Sequence, residues 1–396
     1  MRRLSFFVRI IAIGILLHVY VGIRIIPELP VDAAVKGLCA LWLVLSVLLI
    51  PVGMIARSLQ RQPLGDRLAW AGLIALGLFS SLLVLTFARE LLLLVVMIVH
   101  AISPDAVNSA RWEINSAIAV PLLALLSTAI GFFNARRRAR VVSIDVPIKD
   151  LPHALDGFTI VQISDIHVGP TIKRGYVDAI VDAVNRLEPD LIAVTGDVVD
   201  GSVEHLADHT RPLSRLSARH GAYLVTGNHE YYSGAHAWIA EFQRLGLHVL
   251  LNEHVVVEHD GAQAVIAGVT DFSAGHFDPA HESDPAAALE GAPGDVLIKV
   301  LLAHQPRSAE AAADAGFTLQ LSGHTHGGQF FPWNFQCGCN SLLWPVCRGS
   351  TTCGFIRAAG PGIGDHPNVW ARRRKSRVCV WSAAAPDACQ FVYVTL

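Results

Sequence analysis

The sequence predicts an α-helical membrane region followed by a layered α/β domain, and three observations carry that reading. Residues 1–134 are almost entirely apolar. From residue 157 onward, short apolar runs alternate with helical periodicity, as expected of strands and helices stacked in layers. Five of those runs end in a residue able to bind a metal ion.

Each element can be justified in chain order. A helix needs roughly 20 apolar residues to cross the hydrocarbon core. Ile10–Ile26 and Val35–Ile55 meet that length, as does Ile114–Phe133. The block 68–102 is interrupted by Arg89 and Glu90 and is short for two spans but long for one. Four spans are expected over residues 1–140. Lys and Arg next to spans mark the cytoplasmic side. Arg2, Arg3 and Arg9 precede the first span, Arg57, Arg61 and Arg67 follow the second, and Arg136, Arg137, Arg138 and Arg140 follow the fourth. Both ends are therefore expected in the cytoplasm. A cleaved signal peptide is disfavoured, since no small-residue site follows the first span. Arg2-Arg3 before Phe6-Phe7 fits a topology flank better than a twin-arginine export signal. Arg136–Arg140 is read the same way, ahead of a role in binding anionic lipid.

A net charge of −2 over 396 residues argues against nucleic acid as a partner, because phosphate-backbone binders carry a basic surplus. The stretch 145–335 is the expected catalytic domain. It contains no cysteine, so no disulfide framework organises it.

Five strands are expected there: Phe158–Ile163, Leu191–Thr195, Ala222–Thr226, Val296–Ala303 and Phe317–Leu321. A helix carrying Val177, Ile180, Val181, Val184 and Leu187 follows the first. The strands run into Asp165-Ile166-His167, Gly196-Asp197-Val198-Val199-Asp200, Gly227-Asn228-His229-Glu230, His304 and Gly323-His324-Thr325-His326. Open α/β sheets gather ligands at the carboxyl ends of their strands. Oxygen and imidazole donors suit Mn, Fe, Zn or similar divalent ions. On an extended chain, residues two apart point to one side, as Asp165 and His167 or His324 and His326 then would. Glycines at 196, 227 and 323 permit sharp turns beside them. The bland alternative, five scattered polar caps, would leave each polar group needing its own partner.

These segments in this order resemble the calcineurin-like metallophosphoesterases over about residues 155–330. Gln162-Ile163-Ser164, Leu302-Ala303-His304-Gln305-Pro306 and Gly327-Gly328-Gln329 add to the likeness and point to a membrane-associated bacterial branch. The resemblance implies a four-layer α/β/β/α sandwich and a dinuclear metal centre. Asp165, His167 and His326 would hold one ion and Asn228, His304 and His324 the other, with Asp197 bridging. His229 would protonate the leaving oxygen or stabilise the phosphate, with Glu230 helping to orient it, and Asp200 would hold the loop. Two such ions polarise phosphoryl oxygens and acidify water. The expected substrate is a phosphorylated small molecule or lipid, with membrane lipids as neighbours and the inner membrane of a bacterium as the location. The other histidines (His205, His209, His220, His236, His248 and His254) carry no spacing signal and are expected on the surface or in loops, and His276 is a minor candidate for the site rim.

Residues 336–396 hold six of the seven cysteines and the run Arg372–Lys375. Cys337, Cys339, Cys347 and Cys353 lack the C-x-x-C spacing of a zinc site. The abrupt change in composition is expected of a frameshifted or divergent tail without the strands that close the sandwich. A clean reading frame through Leu396 on resequencing would remove the frameshift. Two rival functions are an inactive membrane sensor that keeps the fold, against which every ligand position is filled, and a transporter with a regulatory domain, which lacks charged spans pairing at a midplane.

Overall fold

In the computed structural model, residues 2–56, 63–135, 140–146, 148, 150–326, 354–356, 376–382 and 390–395 are described. The chain divides into two compact units, Met1–Phe133 and Asn134–Leu396.

The first unit contains four helices: α1 (Arg2–Ile25), α2 (Ala33–Ala56), α3 (Leu64–Ile102) and α4 (Ser109–Ala135). All four are long and apolar enough to cross a membrane. The ambiguous block 68–102 forms one helix, and at 39 residues it is about 58 Å long, longer than a hydrocarbon core of about 30 Å. Its contact with α2 is set by small residues. A Cβ on Gly53 would lie 2.6 Å from the Gly72 Cα, so glycine at both positions lets the backbones touch.

Arg89 explains how a charge fits within that block. Its side chain is buried, its Nε donates to Ser116 Oγ at 3.0 Å, and its other nitrogens donate to the carbonyls of Arg24 and Glu113. Glu90 pairs with Arg24 through two hydrogen bonds. The charges thus knit α1, α3 and α4 together, as intramembrane charges facing a bundle interior do. Arg57, Arg61, Arg136, Arg137 and Arg138, on which the topology reading partly rests, lie outside the described residues.

The second unit opens with strand β1 (Arg140–Val146) and β2 (Thr159–Ser164), then α5 (Arg174–Asn185), β3 (Leu191–Val194), α6 (Val203–Thr210), β4 (Ala222–Leu224) and α7 (Asn228–Ser233). It continues through α8 (Ala235–Arg244), β5 (His248–Val249), β6 (Glu253–His259), β7 (Ala262–Gly268), β8 (Ile298–Leu302), α9 (Ala309–Asp314) and β9 (Leu319–Leu321). The tail adds β10 (Gly354–Ile356), β11 (Ser376–Ser382) and β12 (Gln390–Thr395). One sheet runs β1-β12-β11-β2-β3-β4-β5 and the other β10-β9-β8-β7-β6. From β11 to β5 the first sheet is parallel.

Alternation along buried strands builds the layers. In β3, Leu191 and Ala193 face a core shared with Ile266, Val300 and Leu321 of the second sheet, whereas Ile192 and Val194 face Val177, Ile180 and Trp238. In β8, Val300 and Leu302 join the inter-sheet core, while Leu301 packs toward Ala312 of α9. Helices therefore cover both outer faces and the unit is a four-layer α/β/β/α sandwich. Full burial of one Ile or Leu stabilises by about 1.5–3 kcal/mol, and both faces of these strands contribute.

Sequence reading missed β1, β5, β6 and β7. Asp260-Gly261 joins β6 to β7 with φ of 50° and 87°, the two left-handed residues that a tight hairpin needs, and this dipeptide was the available signal. The expected lack of closing strands is also overturned. β10 pairs with β9, and β11 lies between β12 and β2. The segments Val378-Cys379-Val380-Trp381 and Phe391-Val392-Tyr393-Val394 are rich in strand formers, a signal masked by the cysteines and arginines around them. Cys337, Cys339, Cys347, Cys353, Gly327, Gly328 and Gln329 lie outside the described residues.

Candidate metal centre

The loops after β2, β3, β4, β8 and β9 bring the predicted residues to one rim. Ligand atoms of Asp165, His167 and His326 lie within 4.8 Å of one another, as do those of Asp197, His304 and His324, and those of His167, Asp197 and His229. Asp197 is at the centre. Its Oδ2 is 3.1 Å from His304 Nε2, 3.8 Å from His167 Nε2 and 3.9 Å from His229 Nε2. Its Oδ1 accepts the His229 N–H at 2.9 Å.

Two of the imidazoles, His304 and His167, are aimed by their remote nitrogens. His304 Nδ1 lies 2.8 Å from the Thr195 carbonyl, which can only accept, so Nδ1 carries the proton. Nε2 is left facing Asp197 and, at 3.1 Å, His324 Nδ1. His167 Nδ1 meets Asp200 Oδ1 at 3.2 Å, and His167 Nε2 is 3.3 Å from His326 Nε2. Ring nitrogens this close share a proton or converge on a cation, and fixed remote nitrogens are how metal-binding histidines are oriented. Asn228 Oδ1 is buried with no hydrogen-bond partner among the described residues. An orphaned carbonyl beside carboxylates and imidazoles fits a hard or borderline divalent ion.

One supporting residue does more than expected and one acts elsewhere. Asp200, predicted to hold the loop, accepts at Oδ1 from both the His167 and His229 rings, and so orients a candidate ligand and the candidate acid together. Glu230, predicted to orient His229, instead accepts the N–H groups of Gly227, Asp197, Val198 and Val199 at 2.7–3.2 Å. It is fully buried because it fastens the β3 loop to the start of α7. His276 stays exposed, with its ring near the Ser273 carbonyl. Sequence reading also missed Asp271, which is buried and receives both hydrogen bonds from the Gln305 amide next to His304.

The backbone corrects the reason given for the Asp-x-His and His-x-His pairs. Asp165, His167, Asp197, His324 and His326 have φ of 55°, 52°, 53°, 71° and 47°, so these residues are left-handed and not extended. Such non-glycine residues cost of order 1–3 kcal/mol each and cluster at functional sites. Gly323 allows close approach: a Cβ there would lie 1.9 Å from Ser164 Oγ and 2.3 Å from Asp165 Oδ2.

Charge is distributed as if protons held the places of cations. Burial alone would lower the His304 imidazole, but the Asp197 charge raises it to about 10. Burial also opposes His167, which the Asp200 hydrogen bond raises to about 8. Despite burial, Asp197 is held well below the ordinary carboxylate range by His304, and Asp200 by His167 and His229. Burial lowers His324 and His326. Burial, then the Asp197 charge, pushes Glu230 up to about 7. Both raised imidazoles are protonated in the metal-free protein at pH 7, and a metal ligand must be deprotonated. Metal uptake at pH 7 should therefore release protons, and affinity should rise with pH. Calorimetry in buffers of different ionisation enthalpy reads the release; identical enthalpies in all of them would contradict it.

The profile described as calcineurin-like phosphoesterase matches residues 158–328. A transmembrane protein with metallophosphoesterase domain from Danio rerio is 38% identical over 222 residues, covering 53% of this chain and 51% of the relative. The chain thus spans about half the length of that relative. An uncharacterised metallophosphoesterase from Aquifex aeolicus is 32% identical over 192 residues, covering 48% of this chain and 71% of the relative. Among solved structures, a 5′-nucleotidase precursor from Thermus thermophilus aligns at 20% identity with a TM-score of 0.31, covering 43% of this chain and 42% of that one.

Proposed function

This chain belongs to the calcineurin-like metallophosphoesterases, and from that premise we propose that it hydrolyses a phosphate ester or pyrophosphate at a centre of two divalent cations. In this reading Asp165, His167 and His326 hold one ion, Asn228, His304 and His324 hold the other, and Asp197 contributes to both. The observation that carries it is the convergence of three imidazoles on Asp197 Oδ2 at 3.1–3.9 Å. Mn, Fe or Zn suits the donor set. Such ions polarise phosphoryl oxygens and lower the pKa of water.

The chain's own residues supply the rest. The His229 ring is part-exposed and its Nδ1 is held by Asp200, which leaves Nε2, 3.9 Å from Asp197 Oδ2, as the atom that gives a proton to the departing oxygen. Asp200 is a positioning residue for that ring, and Glu230 keeps Asp197 in place from behind. Residues 145–335 are the catalytic region, and β10, β11 and β12 supply closing strands to it.

The four apolar helices support membrane attachment. We place the α/β unit on the cytoplasmic side, because the arginine-rich segments flank the spans on one side. Attachment also favours a lipid-linked phosphate over a freely diffusing one. Removing metal with a chelator should abolish hydrolysis of bis-p-nitrophenyl phosphate, and added Mn²⁺ should restore it. Full activity in protein shown by metal analysis to be stripped would end this reading.

A further inference from the structure

His236, Asp278 and His281 meet on the α/β unit outside the cluster around Asp197. One ligand atom of each lies within 4.8 Å of the other two. His236 stands in the first turn of α8, and Asp278 caps the short 3₁₀ turn Pro279–His281. His236 Nε2 is 3.0 Å from Asp278 Oδ2, and the His236 and His281 ring centroids are 5.0 Å apart. We propose that these three side chains form a separate site for one divalent transition ion of the zinc class.

Three features set the group apart from an ordinary surface ion pair. First, on Asp278 and His281 the atoms not needed for an ion are already engaged. Asp278 Oδ1 accepts the Ala280 N–H at 3.0 Å, which leaves Oδ2 turned to His236. His281 Nδ1 is 2.9 Å from the Tyr231 hydroxyl, which leaves Nε2 as its free nitrogen. A fixed remote nitrogen of this kind orients metal-binding histidines and sets their tautomer. Second, a His–Asp pair needs only two partners. Here a third donor is brought in and anchored, since Thr270 Oγ1 donates to the His281 carbonyl at 2.8 Å. Two imidazoles at this separation would repel if both were cationic, whereas two neutral imidazoles and a carboxylate are a donor set for Zn²⁺ and its neighbours. Third, the His236 side chain is 74% exposed, so an ion has a route in. Three protein ligands leave a position for water, so binding is expected to be weaker than at a closed four-ligand site.

The site has a mechanical consequence. Tyr231 lies on α7, the same short helix as Asn228, His229 and Glu230. An ion on His281 would brace the Tyr231 hydroxyl and, through it, the helix that carries the candidate acid.

The test uses the full chain in detergent, saturated with Mn²⁺ and then titrated with Zn²⁺ by calorimetry, with metal analysis of the dialysed protein. The parent should bind one more zinc equivalent than His236→Ala, over and above any zinc that replaces manganese at the Asp197 centre, where zinc is the tighter ion. His236→Ala and Asp278→Asn should bind that equivalent at least about tenfold more weakly, and Tyr231→Phe about tenfold more weakly. Because His236 is exposed, its replacement should leave the melting temperature unchanged, which separates lost binding from lost folding. The proposal is overturned if the parent binds no further equivalent. It is equally overturned if zinc merely displaces manganese, or if parent and His236→Ala give the same isotherm. None of these readouts depends on hydrolysis, so they stand apart from the phosphoesterase reading.

Discussion

Asp197→Ala, saturated with Mn²⁺, is expected to hydrolyse bis-p-nitrophenyl phosphate at least about a thousandfold more slowly than the parent chain. The magnitude follows from what one oxygen does. Asp197 Oδ2 is the point on which His304, His167 and His229 converge, and the proposed function makes it common to both ions. On that reading its loss would take a ligand from each ion and lower the negative charge available to hold the pair. Metal-assisted stabilisation of a phosphoryl transition state is worth several kcal/mol, and about 4 kcal/mol is a thousandfold in rate. Initial rates of the two proteins at matched manganese content decide the matter, and equal rates would remove Asp197 from the mechanism. The substitution also takes an acceptor from the His229 N–H, so a melting curve of the variant should accompany the rates. A folded but inactive variant is the expected outcome.

The second large effect concerns stability. Glu230→Ala should lower the melting temperature of the α/β unit by roughly 10 °C, reflecting a loss of about 4 kcal/mol. Four backbone N–H groups, on Gly227, Asp197, Val198 and Val199, end on this one carboxylate. Removing it leaves buried donors unsatisfied, each costing about 1–3 kcal/mol where water cannot reach. Glu230→Gln keeps the shape but points an amide N–H at other donors, and should recover only part of the loss. Thermal unfolding followed by circular dichroism is the measurement. An unchanged midpoint in Glu230→Ala would mean that the β3 loop holds itself.

Much of this site is legible in sequence because each contribution is local. An apolar run followed at once by Asp165, Asp197, Asn228, His304 or His324 can be read without knowing which strands pair. The parallel order β2-β3-β4 also follows from alternating strands and helices. What escapes is non-local. Asp200 reaches His167 across 33 positions and His229 across 29, and no spacing rule announces a shared carboxylate. β11 enters the first sheet beside β2 from more than 200 positions away, where composition alone suggests a broken tail. Glu230 reads in sequence as a partner of its neighbour His229, whereas buried carboxylates seek the nearest unsatisfied amides, three of which here belong to another loop. His236 lacks any motif because its partners at 278 and 281 lie on a different turn.

The left-handed backbone at Asp165, His167, Asp197, His324 and His326 bears on how this chain can change over generations. Glycine would relieve the torsional strain at every one of those points, but only by removing a candidate donor, which is the usual form of a trade between stability and activity. All five carry oxygen or nitrogen donors, so at these points a more relaxed backbone and a candidate ligand exclude each other.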